Sequence, residues 1–312
     1  MVKNIGLVGA GSVGSALFSN IYRNDPEHAY IVAKGTRADR LREKGLSVNN
    51  EIMRPFVYSD PDQDIRLDLL LIVVKTYSLE SVMSDIEDLI NEDTILLPLQ
   101  NGILTTDKLR KRFPGNRVLY GTVQRTDAHR IGHRVFFTTL GETKIGYADN
   151  RIIKPEVQDT HDRLWELGIN VKIYEDMKRV QWLKWMLNTG ASQVAAETGV
   201  ECGFFGMVSE ITELMSMCMD EILAIAACEK VNVTEKDRDE IINILIKYPP
   251  DKKMSMLQDL EAGRTTEIEE YAGTVIHLGE KYGIATPVNK VLYLTITSRE
   301  KISTIRKKSM SQ

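Results

Sequence analysis

The sequence predicts an α/β domain followed by an all-helical domain. Short apolar runs bounded by turn residues recur through the first half, which is typical of a mostly parallel sheet. The turn after the first of these runs is rich in glycine. Beyond Met177 the strand patterns nearly vanish and helical spacing replaces them. At 312 residues the chain exceeds one typical domain, so we expect two, residues 1–175 and 176–312.

The glycine-rich turn lies between a strand and a helix. Residues 3–8 fit a short strand, which runs into Gly9-Ala10-Gly11-Ser12-Val13-Gly14 and then a helix. This is the context that the motif G-x-G-x-x-G requires. Gly9 permits the tight turn, Gly11 lets the backbone approach a pyrophosphate, and Gly14 lets the helix pack closely on the strand. The first domain is therefore predicted to be a Rossmann-type dinucleotide-binding fold, unless the turn serves packing alone.

The end of the second strand bears on the choice of cofactor. This strand, predicted at 29–33, runs into Lys34-Gly35-Thr36-Arg37. An NAD-specific site has Asp or Glu here to hold the ribose 2′-hydroxyl, whereas a cation can meet the 2′-phosphate of NADP. The sequence thus favours NADP(H), although Lys34 and Arg37 also fit solvated loop charges.

Two further buried strands end in polar residues. The strand predicted at 68–74 is followed by Lys75, and the strand at 94–99 by Gln100-Asn101-Gly102. Ligands of such sheets bind beyond the carboxyl ends of the strands. Lys75 is therefore a candidate for contact with the cofactor, and Asn101 for contact with cofactor or substrate. An Asn-Gly pair equally fits a simple turn.

The rest of the first domain is built of short pieces. Residues 46–58 fit a small hairpin. Three strands are predicted as antiparallel additions to the far edge of the sheet: 118–124, 135–139 and 143–147. His129 and His133 lie among them without a third metal ligand nearby, so no metal site is predicted.

The second domain is predicted to begin with a helix at 182–199. Lys184, Asn188 and Ser192 recur on it every four residues and so share one face. Their neighbours are largely apolar, and a charged lysine is costly to bury there. Either Lys184 reaches water along the helix surface, or it faces a cavity where its ammonium group is used.

Capping patterns mark later helices. Thr234 is a predicted N-cap, and Thr266-x-x-Glu269 reads as a capping box opening a helix at 267–282 that Gly283 closes. Glu267 would then lie in the first turn, where the helix dipole favours a carboxylate.

Composition excludes several classes of partner. The net charge of −4 gives no reason to expect nucleic acid or an anionic membrane as partner. No apolar run is long enough to span a membrane, and the first residues run straight into a strand pattern. The three cysteines have no metal-ligand spacing and read as buried thiols. These features predict a cytoplasmic protein.

As a set, the motifs resemble those of the ketopantoate reductase family (2-dehydropantoate 2-reductase). The resemblance covers most of the chain and rests on segments in a fixed order: the glycine motif, Val73-Val74-Lys75, Gln100-Asn101-Gly102, Lys184-x3-Asn188, Ser255-Met256-Leu257-Gln258-Asp259, Thr266-Glu267-Ile268-Glu269 and Gly283-Ile284-Ala285-Thr286-Pro287. It implies a Rossmann domain joined to an all-helical domain, with the active site in the cleft between them.

The resemblance also implies an activity and roles for residues. NADPH would reduce 2-dehydropantoate to pantoate on the route to pantothenate and coenzyme A. Lys184 matches the catalytic lysine that protonates the alkoxide, and Glu267 the carboxylate that holds substrate and supports the lysine. Asn188 and Ser255 match positions that contact the substrate. Lys75 and Asn101 match positions near the nicotinamide and its ribose. Lys34 stands at the position that meets the 2′-phosphate.

Two departures from the family pattern concern the substrate. Ser192 and Lys252 stand where the family usually has asparagines that touch substrate, so another 2-oxo acid is an alternative substrate. A β-hydroxyacid dehydrogenase is a further alternative, and the segment from Ser255 to Glu269 argues against it. A non-catalytic NADP sensor is another, and the presence of both Lys184 and Glu267 argues against that. A homodimer is a possible assembly.

Overall fold

The chain folds into two compact units, Met1–Gln181 and Trp182–Gln312, of which the computed structural model describes residues 2–63 and 65–310. All strands of the described residues lie in the first unit, and the described part of the second is helical. This confirms the predicted fold class. The division falls inside a helix, Met177–Thr198, and so lies later in the chain than the predicted boundary at 175/176.

The first unit is organised around a five-stranded parallel sheet. Its strands are β1 (Ile5–Val8), β2 (Ala29–Val32), β5 (Phe56–Tyr58), β6 (Leu69–Ile72) and β7 (Ile95–Pro98), in the order β5-β2-β1-β6-β7. The last residues of β2, β1, β6 and β7 are level with one another in the sheet. Val8 pairs with Val32 and with Ile72, and Ile72 pairs with Pro98. The segments that follow these strands therefore start from one edge of the sheet.

Both faces of this sheet are buried, because successive side chains of a strand point to opposite faces. In β6, Leu69 and Leu71 belong to one apolar cluster and Leu70 and Ile72 to the other. Among the described residues of this unit, five α-helices accompany the strands: α1 (Ser12–Asn24), α2 (Gly35–Lys44), α3 (Leu79–Ile86), α4 (Thr105–Arg112) and α5 (Pro155–Glu166). The continuous apolar runs of the sequence are explained by this double coverage.

The shorter strands form two further sheets. One has the order β4-β3-β10-β9 and the other β12-β11-β8. Their members are β3 (Leu46–Val48), β4 (Glu51–Met53), β8 (Tyr120–Gln124), β9 (His129–Ile131), β10 (Arg134–Phe136), β11 (Glu142–Gly146) and β12 (Val171–Ile173).

These sheets correct two details of the prediction. The hairpin predicted at 46–58 ends at Met53, and the residues after it join the main sheet as β5. The later strands do not extend the main sheet as antiparallel neighbours: the link to β7 is a single parallel bridge from Leu96 to Val118. Sequence spacing identifies strands but not their partners, because pairing is decided by contacts distant in the chain.

The second unit contains six helices within the described residues. They are α6 (Met177–Thr198, which begins in the first unit), α7 (Ser209–Cys228), α8 (Glu235–Leu245), α9 (Ser255–Glu261), α10 (Thr274–Tyr282) and α11 (Pro287–Met310). Thr234 caps α8 through a capping box with Asp237, and left-handed Gly283 ends α10, as predicted. Cys228 is exposed, contrary to the expectation that all three cysteines are buried.

The capping box predicted at Thr266 is wrong. The backbone N–H of Thr266 donates to Glu300 Oε1 at 2.6 Å, and the carboxylate of Glu269 accepts from the Tyr293 hydroxyl. A π-helical turn, Glu269–Gly273, precedes α10 here, with Gly273 N–H donating to the carbonyl of Ile268 at 3.0 Å. Glu267 therefore lies before this turn and outside the first turn of α10. Such π turns occur often at functional sites.

Candidate functional site

The glycine-rich loop follows β1 and leads into α1. Gly9 has φ +103°, and a Cβ on it would lie 2.4 Å from the carbonyl oxygen of Val73. A Cβ on Gly14 would lie 2.2 Å from the carbonyl oxygen of Gly9. Both positions thus require glycine for close approach of loop, strand and helix.

Gly11 differs from these two glycines. A Cβ built on it meets no atom of the described residues within 4 Å, and its φ and ψ, −80° and −165°, are open to any residue. Nothing inside the protein explains a glycine here. The first turn of α1 has no acidic residue, so the positive end of the helix and its free N–H groups are not neutralised locally. A bare backbone beside a helix N-terminus fits a bound pyrophosphate.

Lys75 and Asn101 follow the neighbouring strands β6 and β7. Both are half-buried and lie three residues past the end of their strands, at the edge from which the glycine loop also starts. In the turn after β7, Gly102 adopts a positive φ of +94° and Asn101 does not. The glycine therefore provides the backbone conformation that this turn needs. Gln100, which sequence reasoning passed over, is 7% exposed and its side-chain amide has no partner among the described residues. A buried amide of this kind is suited to a ligand.

Lys34 is not a free cation at the end of β2. Its Nζ donates to Asp88 Oδ1 at 2.5 Å. The lysine lowers the pKa of Asp88, mainly through this hydrogen bond. Any phosphate bound by Lys34 would have to compete with that carboxylate.

Arg130 of β9 is a residue near the loop that the sequence did not single out. Its Nη2 donates to the carbonyl oxygen of Ala10 at 2.9 Å, across 120 positions of sequence. Partial burial lowers the pKa of Arg130, and the charges of Arg40 and Arg37 lower it further. Only the folding of β9 toward α1 brings this side chain to the loop, so no local pattern could have identified it.

In the second unit, α6 carries Lys184, Asn188 and Ser192, the polar residues predicted to share one face of a helix. Lys184 and Asn188 are half-buried, whereas Ser192 is fully buried and its Oγ has no partner among the described residues. Burial of these three side chains therefore increases along the helix from Lys184 to Ser192. Trp182 and Trp185 pack edge to face beside it, with ring centroids 5.3 Å apart.

The π turn is held against α6. Trp185 Nε1 donates to the carbonyl oxygen of Glu270 at 2.9 Å. Glu267, at 7% exposure, accepts backbone N–H groups of Glu270 and Tyr271 at its carbonyl, 3.0 and 3.2 Å away. The segment containing Glu267 is thus fixed to the helix containing Lys184 and Asn188.

Tyr271 lies between these predicted site residues. It is 1% exposed, and burial raises the pKa of its phenol well above 10. The nearby carboxylates of Glu267, Glu270 and Asp259 raise this pKa further, whereas the neighbouring Asn188 side chain lowers it. The Tyr271 hydroxyl itself has no partner within hydrogen-bonding geometry among the described residues. Asn188 and Glu267 therefore share one buried neighbour. Tyr271 directly follows two glutamates in a segment that the sequence marks only as a helix, so no local pattern singles it out.

The remaining predicted residue, Ser255, is the first residue of α9 and is exposed. Lys252, the departure just before it, places its Nζ 4.0 Å from the centroid of the Tyr248 ring. Asp259 on the same helix approaches Tyr271, so α9 borders the cluster around that phenol.

Neither a metal-ligand cluster nor a membrane-spanning helix occurs among the described residues. No group of three or more His, Cys, Asp or Glu residues suited to a metal occurs in the described part of the chain. Among residues 2–63 and 65–310, no helix has the length and apolarity needed to cross a membrane.

Known proteins resemble this chain over nearly its whole length. A 2-dehydropantoate 2-reductase of Aquifex aeolicus is 25% identical over 305 residues, 96% of this chain and 98% of that protein. A ketopantoate reductase structure from Ralstonia eutropha has a TM-score of 0.84 at 22% identity, covering 96% of this chain and 99% of the other. A D-mandelate dehydrogenase, solved with NADH and anilino(oxo)acetate, has a TM-score of 0.85 at 23% identity, with the same coverage.

Two family models match successive parts of the sequence. Residues 5–150 match the family described as ketopantoate reductase PanE/ApbA, and residues 176–300 match its C-terminal region. The chain therefore belongs to the ketopantoate reductase family of NAD(P)H-dependent oxidoreductases.

Proposed function

We propose that this protein reduces the ketone of 2-dehydropantoate to (R)-pantoate with NADPH, a step toward pantothenate and coenzyme A. The observation that carries the proposal is the buried arrangement in the second unit, where Asn188 and Glu267 both adjoin Tyr271 and Lys184 lies one helical turn from Asn188. A protein that only sensed the dinucleotide would need neither an amine nor a carboxylate here.

The chemistry assigns Lys184 the role of general acid. NADPH, when bound, supplies the hydride that adds to the ketone carbon. Negative charge then develops on the ketone oxygen, and the Lys184 ammonium group stabilises that charge and donates its proton to the oxygen. Half-burial of Lys184 excludes part of the competing water. Acid catalysis by a positioned group is worth about 10²- to 10⁴-fold in rate.

Glu267 and Asn188 position the reacting groups. The Glu267 carboxylate, in a residue that is 7% exposed, is assigned to hold the substrate and to support Lys184. Asn188 donates its side-chain amide to the substrate, and its contact with Tyr271 limits the rotamers it can adopt. Ser255, exposed at the start of α9, offers a hydroxyl to the polar end of the substrate.

The identity of the 2-oxo acid rests on fewer residues. Ser192 is a shorter donor than asparagine and is fully buried, so it reaches only a substrate group that enters the core. Lys252, over the Tyr248 ring, can instead meet a carboxylate. A different 2-oxo acid is the second candidate, favoured by these two residues and by the likeness to D-mandelate dehydrogenase.

NADPH is preferred over NADH in this proposal because the end of β2 carries cations and no acidic residue. In the first unit, the backbone of Gly11 and the start of α1 would hold the pyrophosphate, flanked by Ala10, Ser12 and Val13. Lys75, Asn101 and the buried amide of Gln100 would lie toward the nicotinamide end. A homodimer and a cytoplasmic location remain predictions.

The test is a turnover assay with a panel of 2-oxo acids, following NADPH oxidation in the wild type and in Lys184→Met. We expect turnover of 2-dehydropantoate and a loss in kcat of roughly 10²-fold or more in the variant, because the acid is removed. Lys236→Met is the matched control, since that side chain is 86% exposed on α8 and should change nothing.

The outcomes separate mechanism from substrate. An active Lys184→Met enzyme, folded as judged by circular dichroism, would contradict the role of Lys184. Turnover of another oxo acid without turnover of 2-dehydropantoate would contradict only the substrate. Binding of NADPH without turnover of any oxo acid would favour a sensor.

A further inference from the structure

Three polar side chains follow one another along a single face of α11. Tyr293, Glu300 and Lys307 are spaced seven residues apart, which is close to two turns of an α-helix. Each of them makes a hydrogen bond to the segment 263–269, and the order of the contacts is the reverse of the order in the chain. This segment therefore runs antiparallel to α11 and is fixed to it at three points.

Two of these contacts flank Glu267. The Tyr293 hydroxyl donates to the carboxylate of Glu269, and Glu300 Oε1 accepts the backbone N–H of Thr266 at 2.6 Å. Thr266 is only 4% exposed, and a buried N–H that lacks an acceptor is costly. The Glu300 carboxylate thus secures the backbone one residue before Glu267.

The segment before Glu267 is closely fitted to the same helix. Lys307 Nζ donates to the carbonyl oxygen of Gly263 at 2.9 Å, and a Cβ on this glycine would lie 2.2 Å from that Nζ. The Thr266 hydroxyl accepts the N–H of Ile268 at 3.2 Å, so that Glu267 lies inside a closed turn. The position of Glu267 therefore depends on where α11 holds Thr266.

The same helix is joined to α6, which carries Lys184. Gln193 Nε2 donates to Asn289 Oδ1 at 2.6 Å, and both side chains are fully buried. Further along α11, Arg299 Nη1 donates to the carbonyl oxygen of Glu197 at 3.0 Å, near the end of α6. Helix α11 thus links the helix of the proposed general acid to the segment of the proposed carboxylate.

We propose that Glu300 is a positioning residue: by holding the Thr266 N–H against α11, it fixes the backbone from which the Glu267 carboxylate serves the substrate and Lys184. The inference rests on the proposed function, because Glu300 acts through the role proposed for Glu267. A displacement of about 1 Å in such a group can cost about 10²-fold in rate. A carboxylate suits the task, since a charged acceptor makes a shorter and stronger hydrogen bond than a neutral one.

The experiment compares steady-state reduction of the best 2-oxo acid by the wild type, Glu300→Ala and Glu300→Gln. We expect Glu300→Ala to raise KM for the oxo acid and to lower kcat/KM roughly ten- to a hundredfold, because the turn around Glu267 is released. Glu300→Gln keeps an oxygen acceptor and should recover most of the loss. Glu300→Asp, whose carboxylate is withdrawn by one methylene, should show the same rise in KM and serves if the alanine variant does not fold.

A double variant shows whether Glu300 acts through Glu267. In a Glu267→Gln background, Glu300→Ala should lower kcat/KM no further, because the group that it positions is already gone. The number of NADPH sites per chain, measured by titration calorimetry, should equal that of the wild type in every variant. A loss of folded protein would instead reduce the number of sites and kcat together and leave KM unchanged.

Glu213→Ala is the matched control. It also removes a glutamate side chain from a helix of the second unit, and Glu213 is exposed on α7. Its kcat and KM should equal those of the wild type.

Other results would overturn the inference. Losses that add in the double variant would make Glu300 independent of Glu267, and an unchanged kcat/KM in Glu300→Ala would remove it from any role in the reaction. Fewer NADPH sites with an unchanged KM would assign it to folding alone. Each of these leaves the proposed function standing, whereas a wild type that reduces no oxo acid would overturn the proposed function and the role of Glu300 with it.

Discussion

Gly11→Ala separates folding from dinucleotide binding at a single position. In the structure the new methyl group meets no described atom within 4 Å, and φ −80°, ψ −165° suits alanine. The folded chain is therefore not strained. Replacing glycine at such a position stabilises a protein by about 0.4–1 kcal/mol, because the unfolded chain loses conformational freedom.

Binding should change in the opposite direction. The methyl group would occupy the space through which we propose that the pyrophosphate approaches the backbone. Displacing it would break charge-assisted hydrogen bonds to the first turn of α1, each worth about 1.5–3 kcal/mol. Loss of one such bond raises the dissociation constant of NADPH roughly ten- to a hundredfold.

The assay pairs thermal unfolding without cofactor with titration of NADPH. Gly11→Ala should unfold at the wild-type temperature or slightly above, and bind NADPH more weakly. Gly14→Ala is the contrasting variant: its Cβ would lie 2.2 Å from the carbonyl oxygen of Gly9, so it should lose stability as well as binding. Gly11→Ala with wild-type affinity would refute the placement of the pyrophosphate, and a destabilised Gly11→Ala would refute the reasoning about free space.

Two further predictions concern buried polar groups. Tyr271→Phe should raise KM for the oxo acid several-fold with little or no loss of stability, because Asn188 loses its polar neighbour while the hydroxyl that is removed has no hydrogen-bond partner among the described residues; an unchanged KM would contradict this. For Asp25, burial alone would raise the pKa, but hydrogen bonds from His28 and Arg163 outweigh it and hold the pKa below 3.8. Its ionised form therefore stabilises the fold above the unfolded pKa of about 3.9, and that contribution is lost as pH falls through the lower folded value. The difference in unfolding free energy between wild type and Asp25→Asn, measured with urea, should thus be larger at about pH 6 than at about pH 3; a constant difference would show that Asp25 is not held ionised by its partners.

Patterns within one element were read correctly from the sequence. The first strand, the glycine loop and α1 follow one another as predicted, because each is defined by near neighbours and by backbone limits at Gly9 and Gly14. Thr234 and Gly283 likewise act through atoms within a few residues. Where a distant partner competes for the same group, the local pattern fails: Glu300 takes the Thr266 N–H that the capping box would have used.

The sequence by itself thus determined the class of each domain and the residues that follow the ends of the main strands, because hydrophobic period and glycine placement are local properties. Only the tertiary structure decided which side chains meet. It paired Lys34 with Asp88, brought Arg130 to Ala10 across 120 positions, and set Tyr271 against Asn188 and Glu267. Those contacts depend on how strands pair and helices pack, and no periodicity within one element records that.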